Sequence, residues 1–224
     1  MPDSYLKTLR TLLIQPRAVV DGFINNSENR FLHPLKFCLV GAAAIILLNT
    51  LFIDFTIRPQ LDPQITTESE QIQRMTEWIQ ITSVRAFTQF LPLTMILFFI
   101  VPLSLAGLFF LREYIDGFYS GLILNTYAVG VAQLFLLLLI PVWKWVDIPL
   151  TDSFMNTTLP AVVTAGGILW IYFKYFQTSS FMKWLRVLSS YTAGYVLFVL
   201  LGGFAASVVG YVIYAGNRIL ELWG

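Results

Sequence analysis

Apolar residues fill five stretches of the chain, and each stretch is long enough to cross a bilayer. A helix needs about 20 mostly apolar residues to span the hydrocarbon core. The five predicted spans are residues 34–54, 87–111, 118–142, 159–177 and 187–214. The pattern therefore predicts an all-α polytopic membrane protein, with a five-helix transmembrane domain over residues 34–216 and a short outer tail over residues 217–224.

A different pattern precedes the first span, where apolar and basic positions share a helical period. Apolar residues recur at three and four residues from Leu6 onward, and Lys7 and Arg10 lie on the opposite face. Pro16 breaks this helix, and a second short helix is predicted after it. We expect residues 1–33 to form an amphipathic interfacial segment at the inner face, held either by lipid alone or by a protein partner.

Residues 55–86 form the one long segment between predicted spans. Thr67 and Glu70 match the T-x-x-E capping box, which is typical of a helix N-terminus. We therefore expect this outer loop to be partly helical, with a helix from Glu68 onward.

The charged residues assign an orientation to the spans. With the N-terminus inside, nine of the 14 Lys and Arg residues lie on the inner side, where the net charge is +4, and the outer side carries −3. Inner loops of membrane proteins are enriched in Lys and Arg. We therefore predict a cytoplasmic N-terminus and a C-terminus on the outer side.

Composition narrows the available chemistry. The chain is 57% hydrophobic and 12% charged, with a mean hydropathy of +0.71. Its net charge of +1 argues against binding to nucleic acid. Cys38 is the only cysteine and His33 the only histidine, so neither a disulfide framework nor a His-based metal site is expected. The sequence contains no catalytic motif or Gly-rich phosphate loop, so no catalytic residue, cofactor or metal is predicted.

Basic residues near the inner surface are candidates for contacts with membrane lipids. They are Lys7, Arg10, Arg17, Arg30, His33 and Lys36. For His33, an ordinary position at the start of a helix is the alternative. Lys174 lies in the aromatic run 170–176 and is interpreted as an interfacial anchor. No acidic or basic residue lies well inside a span, which argues against ion-coupled transport.

Neutral polar residues within the spans form a candidate polar layer. They are Asn49, Gln133, Asn125, Thr94, Ser104 and Thr164. Asn49 and Gln133 both lie about 22 Å from the inner ends of their helices, at 1.5 Å per residue, whereas Asn125 and Ser104 lie nearer the inner face. Such side chains either join helices by hydrogen bonds or line a polar cavity for a lipid headgroup or a small solute.

Small residues mark a candidate packing seam on two of the spans. They are Gly194, Gly202, Ala206 and Gly210 in the fifth span, and Gly117 and Gly121 at the start of the third. Small residues let membrane helices approach closely, so we expect these helices to pack on each other or on a partner subunit. Pro92 and Pro102 predict kinks in the second span.

Residues 8–16 (TLRTLLIQP), 29–37 (NRFLHPLKF) and 110–119 (FLREYIDGFY) carry short motifs. Through them the chain resembles a family of bacterial integral membrane proteins of unknown function, which implies an inner (plasma) membrane location. Members of that family often begin with a zinc-binding cysteine cluster, which this sequence lacks. The five-span layout is also similar to that of the Yip family, whose eukaryotic members engage trafficking GTPases. Neither resemblance supplies a catalytic residue.

Two functions of different classes fit these patterns. The first is a non-enzymatic scaffold or accessory subunit of a membrane complex, whose partners are lipids and either another membrane protein or a second copy. The second is a carrier or flippase that uses the polar layer for a lipid or a small neutral solute. An enzyme acting on lipids ranks third, because the sequence shows neither paired carboxylates nor a nucleophile with a base.

An odd number of spans places the two termini on opposite sides of the membrane. Fusions to one reporter that is active only in the cytoplasm and one that is active only outside it should show an inner N-terminus and an outer C-terminus. Finding both termini on the same side would contradict the five-span count.

Overall fold

A computed structural model describes residues 2–25, 31–52, 94–139, 141 and 158–223. Within these residues every regular element is helical, which confirms the predicted all-α class. The helices are α1 (Pro2–Ile14), α2 (Pro16–Ile24), α3 (Pro34–Phe52), α4 (Val101–Phe110), α5 (Phe118–Leu137), α6 (Leu159–Phe176) and α7 (Phe181–Trp223). The helix predicted in the loop 55–86 at Thr67 and Glu70 lies outside the described residues.

Three of these helices are long and apolar enough to cross a membrane. They are α5, α6 and the part of α7 from Phe181 to Val212. Shorter apolar helices cover Pro34–Leu48 in α3 and Phe98–Phe110, which includes α4. The last helix begins before the predicted span, and it continues as a helix through the predicted tail as far as Trp223.

At Pro102 the sequence predicts a kink, and the structure shows a π-helical segment, Met95–Ile100, shortly before it. Proline has no N–H to donate, and its ring crowds the carbonyl one turn earlier. Here the helix widens, and the Val101 N–H bonds to the Ile96 carbonyl five residues back. The wider turn gives room for a proline inside a continuous helical stretch.

Helix α5 lies at the centre of the described bundle. Residues 123–133 are all buried, and α3, α4 and α6 pack around them. Small residues allow this approach, because a Cβ atom on Gly130 would lie 2.6 Å from the Phe37 ring of α3. On α6, a Cβ atom on Gly167 would lie 3.0 Å from the Cα of Ala132. Neighbouring helices therefore pack close to the backbone on at least two sides of α5.

Helices α1 and α2 pack against the bundle through one face. The two helices meet at the break predicted for Pro16, and Leu12, Val19 and Val20 have no exposed surface. Both helices contact α5 and α6. The buried face of the N-terminal segment therefore packs against α5 and α6 of the same chain.

Two hydrogen bonds join this segment to α6. The Trp170 indole N–H donates to the Leu13 carbonyl at 3.2 Å, and the Tyr175 hydroxyl donates to the Asp21 carboxylate at 2.8 Å. A hydrogen bond from a neutral donor to a carboxylate is stronger than a hydrogen bond between two neutral groups. These contacts define how α1 and α2 lie along the bundle.

Among the described residues, two glycines of the predicted seam pack against α4. Gly121 of α5 and Gly194 of α7 both approach α4, which contacts both helices. A Cβ atom on Gly121 would lie 3.7 Å from the Ser104 carbonyl oxygen, and one on Gly194 would lie 2.9 Å from the Leu103 Cα. Gly117 instead precedes α5 with a φ of 95°, a conformation that favours glycine.

The later part of the seam lies on a more exposed stretch of α7. A Cβ atom on Gly202 would meet Phe198 of the same helix at 3.8 Å, and one on Gly203 would meet no described atom within 4 Å. Gly210 is buried, and the side chain of Ala206 lies outside the described residues. Within the part of the chain that the structure describes, close packing between helices is therefore shown at Gly194 but not at Gly202.

The substitution Gly194→Ala should destabilise the bundle, because the added Cβ meets the backbone of Leu103 and not only a movable side chain. Overpacking of this kind costs about 1–3 kcal/mol, and the thermal midpoint in mild detergent should fall. Gly203→Ala is the matched control on the same helix, and its midpoint should stay the same or rise slightly. Equal midpoints for the two variants would contradict the close contact between α4 and α7.

Candidate functional site

Three buried polar side chains join α4, α5 and α6, and we call them the Asn125 cluster: Ser104, Asn125 and Tyr172. None of the three is more than 1% exposed. Asn125 Nδ2 donates to Ser104 Oγ at 3.0 Å, and the Tyr172 hydroxyl donates to Asn125 Oδ1. One side-chain amide thus binds two helices, with its donor directed to α4 and its acceptor to α6.

Local contacts set the direction of each group in the cluster. Ser104 donates its own proton to the Ile100 carbonyl one turn earlier, at 2.7 Å, which leaves its lone pairs for the Asn125 amide. The Tyr172 ring meets the Phe176 ring edge-on, with centroids 5.9 Å apart. The side chains are therefore oriented by their own helices as well as by one another.

The chemistry of the Asn125 cluster is that of a connector between helices. Each of its three side chains is engaged by another member of the cluster, and Ser104 also donates to the backbone of its own helix. Hydrogen bonds between membrane helices contribute about 0.6–2 kcal/mol each. The cluster is thus suited to holding α4 and α6 against α5.

Sequence reasoning interpreted Lys174, in the aromatic run 170–176, as an interfacial anchor and did not select Tyr172. The structure divides the run by helical face. Trp170 is 48% exposed, with the Lys174 ammonium 5.4 Å from its ring centroid, whereas Tyr172 is buried. Helical periodicity could have separated these positions, because residues two apart point to different sides of a helix.

A second polar contact joins α5 to α3. The Cys38 thiol donates to Gln133 Oε1 at a sulfur–oxygen distance of 3.7 Å, and both side chains are buried. Gly41 leaves the room that Gln133 fills, because a Cβ atom there would lie 2.7 Å from the same oxygen. Gln133 Nε2 has no hydrogen-bond partner among the described residues, and a buried unpaired donor costs about 1–3 kcal/mol.

This contact corrects the level assigned to Asn49. Gln133 lies beside Gly41, and the Tyr127 hydroxyl donates to the Leu32 carbonyl at 2.6 Å, so α3 and α5 run in the same direction. Asn49 therefore lies about 12 Å further along than Gln133, at 1.5 Å per residue. Counting equally from the two helix ends was wrong, because α5 begins well before the level at which α3 starts.

Thr94 and Thr164 lie away from the Asn125 cluster along their helices. Thr164 is half-buried and lies about 12 Å before Tyr172 on α6, whereas Thr94 lies about 15 Å before Ser104. Of the six candidate residues, the structure joins Asn125 to Ser104 by a hydrogen bond.

Ser190 is a buried polar residue that sequence reasoning did not select. It lies on α7 with no exposed surface, and its Oγ has no hydrogen-bond partner among the described residues. A Cβ atom on Gly107 of α4 would lie 3.9 Å from this oxygen. Extending the search for neutral polar residues through the whole span 187–214 would have found it.

The candidate lipid-contacting residues differ in their surroundings. Lys7 and Arg10 are exposed on α1, and Lys36 is exposed at the start of α3. The Arg17 guanidinium lies 5.8 Å from the centroid of the Tyr175 ring, where a cation–π contact holds it against α6. Lys7 and Arg10 thus lie on the outward face of the N-terminal segment.

His33 forms part of the turn before α3. Its Nδ1 accepts the Leu35 backbone N–H at 3.2 Å, and its ring meets the Phe23 ring edge-on at a centroid distance of 5.1 Å. Arg30 lies outside the described residues. The part of the chain that the structure describes contains no group of three His, Cys, Asp or Glu side chains that could hold a metal ion.

Known proteins assign neither a family nor a function to this chain. The chain matches no family model, no curated protein and no solved structure. The buried polar contacts and the exposed surfaces of the chain itself therefore bear on its function.

Substituting Tyr172→Phe removes one hydroxyl and leaves Asn125 Oδ1 without its partner on α6. We expect the free energy of unfolding in mild detergent to fall by about 1–2 kcal/mol. Tyr119→Phe is the control, since Tyr119 is 63% exposed on α5, and its stability should equal that of the parent. Equal stability of the two variants would contradict a role for the Asn125 cluster in holding α6 against α5.

Proposed function

We propose that this chain is a non-enzymatic integral membrane protein that acts as a scaffold or accessory subunit of a membrane complex. The observation that carries the proposal is the Asn125 cluster, in which buried polar groups bind one another. Its hydrogen bonds hold three helices in fixed relative positions. A scaffold needs this property because it must present the same surface to its partner each time.

The proposal includes five spans in a bacterial inner membrane, with a cytoplasmic N-terminus. The directions of the helices support this layout. Helices α3 and α5 run in the same direction, and α6 runs opposite to α5, since Gly167 meets Ala132 while Tyr172 bonds to Asn125 further back on α5. These are the directions expected for the first, third and fourth spans of an alternating series.

A membrane-embedded surface for a partner is available on α7. Between residues 196 and 212 many of its large apolar side chains are exposed, with Leu200 at 64% and Phe204 at 72%. An accessory subunit within a membrane complex binds its partner through such a surface. We therefore place the partner contact on this face of α7.

A carrier or flippase for a lipid or a small neutral solute is the second candidate. Two buried polar atoms without a partner among the described residues favour it, Gln133 Nε2 and Ser190 Oγ. Buried polar groups in proteins normally have hydrogen-bond partners. In a carrier, the transported molecule would supply them.

Photo-crosslinking amino acids at Leu200 and Phe204 test the scaffold proposal in membranes at native expression levels. Both positions should give adducts with one protein of constant mass, because they lie one turn apart on the same helix. The same group at Tyr119, which is exposed on α5, is the control and should not give that adduct.

Adducts with lipid alone at both α7 positions would contradict the scaffold proposal. Mass spectrometry of the protein purified in mild detergent then tests the second candidate. A lipid or solute that is bound in stoichiometric amount and is lost in Gln133→Leu would support the carrier.

A further inference from the structure

The outward side of α1 carries a cleft that neither proposed function uses. Its volume is about 540 Å³, and the six described residues that line it are Leu6, Lys7, Arg10, Thr11, Ile14 and Gln15. Two of the six are cationic, Lys7 and Arg10, and none is acidic. Two others are apolar and largely exposed, Leu6 at 63% and Ile14 at 59%. The cleft thus combines positive charge with an uncovered apolar surface.

The cleft has a fixed place on the protein because the opposite face of α1 is buried. Thr8 and Leu12 have no exposed surface, and the Thr8 hydroxyl accepts the Leu32 backbone N–H at 2.9 Å. Rotation of α1 about its axis would break this bond and expose Leu12. Lys7 and Arg10 are therefore held on the outward face.

Trp170 and Lys174 of α6 indicate the level of the cleft in the membrane. The Trp170 indole donates to the Leu13 carbonyl, one residue before Ile14, and the Lys174 ammonium lies 5.4 Å from the same indole ring. Tryptophan and lysine occur together at the membrane–water interface, where the ring is partly apolar and the cation reaches water. The cleft therefore lies at the level of lipid headgroups.

We infer that this cleft binds one anionic phospholipid. Lys7 and Arg10 are three residues apart on one helix, so their Cβ atoms lie about 5–6 Å apart and both cations can reach one phosphate group. Leu6 and Ile14 provide apolar surface for the start of an acyl chain. The inference goes beyond both proposed functions, because a scaffold and a carrier can each hold such a lipid at their inner surface.

The double variant Lys7→Gln/Arg10→Gln of the full chain tests the lipid site. The probe is dioleoyl phosphatidylglycerol, added to the protein in a neutral detergent and counted as bound lipid by native mass spectrometry. We expect the double variant to bind it about 30-fold more weakly, since two cations next to the anionic headgroup are lost. An unchanged affinity in a variant that keeps the parent's thermal midpoint would overturn the inference.

The matched control is Arg112→Gln/Lys183→Gln, which removes the same charge from the loop after α4 and from the first turn of α7. It should leave the affinity for phosphatidylglycerol unchanged. An equal loss in the two double variants would show that overall charge attracts the lipid, which would overturn a discrete site on α1.

Inorganic phosphate distinguishes a lipid site from a site for a free anion. A tenfold molar excess of phosphate over phosphatidylglycerol should not displace the lipid, because it lacks the acyl chains that contact Leu6 and Ile14. Displacement by phosphate would overturn the assignment to a lipid.

Discussion

A polar side chain that is buried among membrane helices must find its hydrogen-bond partners within the protein, and the arrangement around α5 depends on how Asn125 meets this requirement. Its amide directs the donor to α4 and the acceptor to α6. Neither helix can shift along α5 without leaving a buried amide group unpaired. Helix α7 is in turn positioned by its contact with α4, where Gly194 lies against Leu103.

The other side of α5 is held mainly by shape. Gly130 accepts the Phe37 ring, and Gly41 accepts the Gln133 side chain, so each helix fills a gap in the other. Substituting either glycine would bring a Cβ atom within 3 Å of its neighbour. Directional bonds on one side and close packing on the other thus hold α5 in a single register.

Long apolar runs predicted the helical class and the approximate positions of α3, α5, α6 and α7, because a membrane-spanning helix needs such a run. Run length does not report where a helix begins relative to its neighbours, which is why Asn49 was placed level with Gln133. The hydrogen bond between Asn125 and Ser104 joins two residues that the sequence had placed in one layer. Tyr172 was missed because an aromatic residue near Trp170 and Lys174 fits a surface position equally well by composition.

Helix α7 has 43 residues, which extend about 65 Å at 1.5 Å per residue, whereas the hydrocarbon layer is about 30 Å thick. Arg186 near its beginning bonds to Glu113, in the loop between α4 and α5, at 2.5 Å, so the excess length continues from the opposite end of the helix. The helix is thus a rod with a fulcrum where Gly194 meets Leu103. A sideways load on α7 beyond that contact would therefore exert a torque on Leu103 and on the packing of α4.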